Sequence, residues 1–158
     1  MNDIASDPAA FFSKTVFVPD LKAVDKLGVL SALADAAAAA GMFPPEKRDE
    51  VLRALVEREK TMSTGMQYGV AIPHARTDVV DGLATLVAVS HDGIPFDALD
   101  GEPSTIFIAT LSPPQDANSH IRFLAAMTRE LSSRRVRENV LAARDKNELI
   151  AAFSRPEN

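Results

Sequence analysis

Cysteine is absent from the 158 residues. That excludes a disulfide framework, Cys-based zinc sites and thiol catalysis within the chain. Excess positive charge is lacking as well: 17 Lys and Arg stand against 22 Asp and Glu, a net charge of −5. Binding to phosphate backbones needs clustered cations, so no nucleic-acid partner is expected. No apolar run approaches about 18 residues, so no membrane insertion is expected. Met1-Asn2-Asp3 lacks the basic and apolar regions of a signal peptide, which makes a cytoplasmic location the expectation. Internal repeats and Gly/Ser-rich linkers are also missing.

What is there suits one packed domain. Apolar residues make up 46% and charged residues 25%, an ordinary globular balance that excludes global disorder. A chain of this size buries roughly 70% of its unfolded surface and needs no metal or disulfide staple. A flexible tail is expected over 1–8 and a single domain over 9–154.

Thr15-Val16-Phe17-Val18 is β-rich and stops at Pro19-Asp20, which predicts a short strand. Val24 to Ala40 is helical, with Leu27, Leu30, Ala34 and Ala37 on one face and Gly41 at the C-cap. A second helix starts near Pro44-Pro45, turns Val51, Leu52, Leu55 and Val56 inward, and ends in Glu57-Arg58-Glu59-Lys60. Thr61 to Gly69 reads as a loop, and Val70-Ala71-Ile72 as a short strand halted by Pro73. Leu83–Ser90 and Ser104–Leu111 are apolar enough to be central strands of a covered sheet, with His91-Asp92-Gly93 as a turn. A helix from Asn118 to Leu131 presents Ile121, Leu124, Ala125, Thr128 and Leu131 on one face. Two shorter helices cover Val136–Ala143 and Lys146–Phe153. The Arg134-Arg135-Val136-Arg137 run starts a solvated helix. Strands interleaved with helices predict an α/β layer fold.

The chemistry concentrates in Gly69-Val70-Ala71-Ile72-Pro73-His74-Ala75-Arg76. A histidine just past a strand end, beside a glycine-bearing loop, is presented rather than packed. Its neutral imidazole is a nucleophile near pH 7, since its ordinary pKa is about 6.5. Arg58 and Arg76 are available cations, although an arginine after a strand more often faces water. Ser63, Thr64 and the amides around Gly65 offer a small anion-binding concavity. Nucleophile, guanidinium and amide-rich loop are the parts that phosphoryl transfer requires.

In these residues the chain resembles the IIA component of the bacterial phosphoenolpyruvate-dependent phosphotransferase system, of the fructose/mannitol/nitrogen-regulatory type. The resemblance rests on Glu57-Arg58-Glu59, Ser63-Thr64-Gly65, the His74 segment, Gly93-Ile94-Pro95-Phe96-Asp97, Asp100-Gly101 and His120. It extends over roughly Phe12 to Phe153. It implies a mixed, mostly parallel sheet flanked by helices, of the phosphotransferase/anion-transport-protein type. It further implies that His74 accepts a phosphoryl group from HPr or its nitrogen-branch relative. Arg58 and His120 then bind the phosphoryl oxygens and orient the imidazole, with the Ser63–Gly65 loop alongside, and no cofactor is needed. In sugar-transporting members the group passes on to a IIB cysteine. A chain without cysteine must find that IIB acceptor, or a regulated target protein, in another polypeptide. Gln67-Tyr68 stands where many members carry a small glycine/asparagine pair, which places bulk beside the nucleophile and bears on donor docking.

Three functional classes follow. The first is a phosphocarrier, expected in nitrogen-regulatory signalling rather than sugar transport because no IIB or membrane segment is fused to it. The second is a regulatory binding module gated by phosphorylation of His74. The third, a metal hydrolase using His74, His91 and His120, lacks any His-x-x-x-His or Glu-x-x-His pair.

Overall fold

The computed structural model describes Ile4 and residues 6–154. Its centre is a five-stranded sheet in which β4 (Ala84–Ile94) and β5 (Ser104–Ser112) pair antiparallel. Around them β1 (Val16–Val18) lies parallel to β4, while β2 (Val70–Ala71) and β3 (His74–Arg76) lie parallel to β5. The sheet is therefore mixed, with three parallel pairings and one antiparallel. The α/β architecture expected from the sequence is the one observed.

Period-two alternation explains why β4 and β5 read as continuous apolar runs. Leu86, Ala88, Phe107, Ala109 and Leu111 point to one face, whereas Val87, Val89, Ile106 and Ile108 point to the other. Both faces are covered, so both register positions are mostly apolar, with buried hydroxyls at Thr85, Ser90, Ser104, Thr110 and Ser112. The first face receives α2 (Lys26–Ala39) and α3 (Arg48–Thr61), the latter entered through a 3-10 turn at Pro45–Lys47. The second receives α4 (Ala117–Glu130), α5 (Arg134–Ala142) and α6 (Lys146–Ala152). Aspartates open three of these helices: Asp25, Asp116 and Asp145 each accept a backbone N–H of the first turn. Gly41, at φ +75°, ends α2, with Met42 N–H bonded to the Ala37 carbonyl. No helix among the described residues is long and apolar enough to cross a membrane.

Four expectations are corrected. Leu27, placed inward by spacing, is 58% exposed, and Val29 and Leu33 fill the core instead. In α4 the buried residues are His120, Phe123 and Met127, continued by Leu131, so the face is rotated by one residue, about 100°. Ile121 is exposed. The larger Phe123 and Met127 side chains take the core, and the same rotation turns His120 inward. His91-Asp92-Gly93 does not end a strand: β4 continues to Ile94 across an irregularity after Val89, with Gly93 at φ +76°. Finally, packing begins inside the segment expected to be a tail. Ile4 is buried beside Phe12 in the second core, and Asp7 caps the short helix α1 (Pro8–Phe11). The other residues of the expected tail before Ser6 lie outside the described residues.

Candidate functional site

The site forms where β3 resumes the sheet after Pro73. Proline removes one donor, but its carbonyl still accepts from Thr110 N–H at 3.2 Å, so the edge survives the interruption. His74 is thus the first residue of a strand rather than a residue past one, and it pairs in register with Thr110. Neighbours in register point to the same side of a sheet. Thr110 follows Ile106 and Ile108 on the α4 face, so the His74 ring faces α4 as well.

Three side chains meet there from three elements. His120, in the first turns of α4, lies with its ring centroid 4.7 Å from that of His74. Its Nδ1 is 2.7 Å from Thr110 Oγ1. Arg58 comes from the last turn of α3, on the opposite face, and its Nε donates to His74 Nε2 at 3.1 Å. The same guanidinium donates through Nη1 to the Met62 carbonyl at 2.8 Å.

The bond on the other side of the His74 ring fixes its tautomer. Nδ1 lies 2.8 Å from the Ile72 carbonyl, which can only accept, so Nδ1 carries the proton. Nε2 is left with its lone pair, and Arg58 donates to it. Burial is the main cause that holds His74 below the ordinary histidine pKa; Arg58 and Arg76 add to it, while the Ile72 bond and the Glu59 charge oppose it. His120 is pushed down to about 4, first by burial and then by His74, Arg76 and Arg58. Both imidazoles are neutral at pH 7.

The depressed His120 value has a consequence for stability. Unfolded histidine titrates near 6.5, folded His120 near 4. As pH falls through that window the unfolded chain gains a proton that the folded one refuses, so stability is complete above about pH 6.5 and declines toward pH 4. Denaturation series between those limits should show a shallower decline for His120→Gln than for the parent. Identical slopes would mean that His120 titrates normally.

The remaining expected site residues are placed differently. Ser63, Thr64 and Gly65 do not present a free anion cradle. Thr64 N–H and Oγ1–H both donate to Glu59, Ser63 Oγ donates to the Phe96 carbonyl, and Gly65 N–H donates to Ser63 Oγ. These donors are consumed in holding the loop. Gly65 is required for another reason, since a Cβ there would come within 2.8 Å of Phe96 O and Ala98 Cα. His91 joins nothing at the site and instead meets the Pro19 carbonyl through Nε2 at 3.1 Å. Gln67-Tyr68 is not beside the nucleophile. Gly69 O binds the amides of Thr105 and Ile106, five and four residues up β5 from Thr110, or at least about 13 Å along the strand. Tyr68, at φ +63°, stacks its ring under Arg137 of α5 at 4.6 Å.

Two contributors escape a reading by motif. Thr110 is a buried hydroxyl inside an apolar run. Glu59 is only 7% exposed although it lies in a charged cluster. Helical spacing carries its signal, because Val51, Leu55 and Glu59 are successive i+4 positions of one buried stripe.

A family model for the phosphoenolpyruvate-dependent sugar phosphotransferase system, EIIA 2, matches residues 10–155. The chain belongs to this family. It is 39% identical over 121 residues to the phosphotransferase-system fructose-specific EIIA component of Haloferax volcanii, covering 77% of each chain. It is 29% identical over 125 residues to a nitrogen regulatory protein of Bradyrhizobium diazoefficiens, covering 79% of this chain and 82% of that one. Among solved structures, nitrogen regulatory protein IIA-Ntr from Neisseria meningitidis superposes with TM-score 0.76 at 24% identity, over 90% of this chain and 94% of that one. The enzyme IIA of the Escherichia coli IIA–phosphorylated IIB mannitol complex gives 0.71 at 19% identity, over 87% and 92%. At these identities the two structures speak for the fold. As a phosphotransferase-system EIIA domain, this chain takes its place among phosphotransfer intermediates.

Proposed function

We propose that the protein is a phosphocarrier that takes a phosphoryl group onto Nε2 of His74. The observation that carries this reading is the tautomer: Nδ1–H is tied to the Ile72 carbonyl, leaving Nε2 as an aimed, unprotonated nucleophile. In the resting state Arg58 Nε covers that lone pair. When a donor phosphohistidine approaches, the guanidinium turns from Nε2 to the phosphoryl oxygens, the donor P–N bond breaks and a bond to Nε2 forms in line. Thr110 Oγ1 lies 2.7 Å from His120 Nδ1; in the tautomer assigned to the transfer, Thr110 donates to Nδ1, and His120 keeps a proton on Nε2 and offers it to a phosphoryl oxygen. Positioning and charge neutralisation then supply the catalysis.

The donor by this reading is HPr or its nitrogen-branch relative. The recipient is a regulated protein in the nitrogen-regulatory branch. The 39% identity to a fructose-specific EIIA favours a second reading, onward transfer to the cysteine of a separate IIB chain. Incubation with phosphoenolpyruvate, enzyme I and HPr should add one acid-labile phosphoryl group by intact mass. Discharge on adding a IIB chain selects the second reading. A folded protein that stays unmodified with cognate carriers rejects the phosphocarrier function.

A further inference from the structure

Glu59 has no part in the transfer just described, yet it is the most deeply buried carboxylate beside it. Its side chain accepts from Thr64 N–H at 3.2 Å and from Thr64 Oγ1–H, and it pairs with Lys26 Nζ at 3.2 Å. Lys26 is itself fixed at the start of α2, reaching Asp97 at 3.1 Å and Ser63 Oγ at 3.3 Å, with its Nζ 4.8 Å above the Phe96 ring. A buried carboxylate held by a cation and two protein donors is expensive to break.

The position of that pair gives it leverage. Thr64 and Ser63, clamped by Glu59 and Lys26, are the residues that follow Met62. The Met62 carbonyl receives Arg58 Nη1 at 2.8 Å, and Nε of the same flat guanidinium lies 3.1 Å from His74 Nε2. Met62 is 68% exposed, and as the C-cap of α3 its carbonyl sits between the end of that helix and the two clamped residues. Without that anchor a long arginine at a helix end samples many rotamers.

We propose that Glu59, held by Lys26, is a positioning residue that sets Arg58 on Nε2 of His74 by locking the Met62–Thr64 turn. Its value for turnover rests on the phosphocarrier reading; the geometric claim does not. Glu59→Gln keeps the shape but loses the charge that Lys26 pairs with, leaving an amide oxygen to face Lys26 and Thr64 N–H and an amide N–H₂ to face Thr64 Oγ1.

The test is a double-mutant cycle with Arg58→Ala, read as kcat and KM for the phosphorylated carrier. Glu59→Gln should lower kcat about tenfold with KM unchanged, and should have no further effect once Arg58 is alanine. Lys26→Met should repeat the loss and Lys26→Arg should restore most of the rate, which covers the case of a Glu59 variant that fails to fold. Glu57→Gln, the same change on an exposed neighbour, should behave as the parent. Equal losses in both backgrounds, or a raised KM with unchanged kcat, would overturn the proposal. A second readout needs no phosphate donor. In the parent the Arg58 Nε–H resonance should show a hydrogen bond to His74 Nε2, and Glu59→Gln should abolish it. That loss in the variant, together with a parent that takes up no phosphate, supports the positioning while rejecting the function; a resonance unchanged by Glu59→Gln overturns the positioning in either case.

Discussion

His74→Ala is expected to abolish phosphoryl uptake completely while leaving the protein folded. The substitution removes the atom that would carry the group, and nothing nearby replaces it. His120 has its Nδ1 engaged with Thr110 and belongs to the buried face of α4, and His91 lies at the Pro19 carbonyl. The fold should tolerate the change because β3 is held by backbone pairing to β5. His74 itself is only partly buried and belongs to neither apolar core, although its neighbour Ala75 in the same short edge strand does. A labelling time course beside a denaturation curve checks both halves. Uptake at the parental rate by His74→Ala would show the site assignment to be wrong.

The second large effect separates the nucleophile from its supports. A donor aimed at charge that develops in the transferring group is typically worth about 10²–10³ in rate. His120→Ala should therefore slow uptake or onward transfer by that order while a phosphorylated species still accumulates. Its partner Thr110 should show the same direction in Thr110→Val, more weakly, since that change frees Nδ1 without removing the ring. Arg58→Lys should be impaired as well. A guanidinium spans Met62 O and His74 Nε2 with two of its nitrogens, and an ammonium on a flexible stem cannot occupy both places. If His120→Ala matches the parent in both directions of transfer, His120 is a buried helix residue with no share in the reaction.

Much of the scaffold could be read from the chain, because β4 and β5 are long apolar runs and Gly41 marks the end of α2. β3 was hidden by Pro73, which interrupts a strand pattern in sequence but costs an edge strand only one donor. The α4 face was hidden because Ile121 and Leu124 fit the helical period as well as Phe123 does. Side-chain size, together with the bond between His120 and Thr110, decided between the two registers. At the site, spacing along the chain singled out His74 and Arg58, and family resemblance raised His120. Neither could show that the Ser63–Gly65 donors turn inward, since that depends on Glu59 being buried and paired with Lys26 of another helix.

The most direct measurement is the imidazole nitrogen spectrum of the ¹⁵N-histidine-labelled protein before and after phosphorylation by phosphoenolpyruvate, enzyme I and HPr. The geometry predicts a neutral His74 with its proton on Nδ1 in the free protein, and phosphorus coupling to Nε2 of that ring afterwards. Coupling to Nδ1 of His74, or to a ring of His91 or His120, would contradict the account.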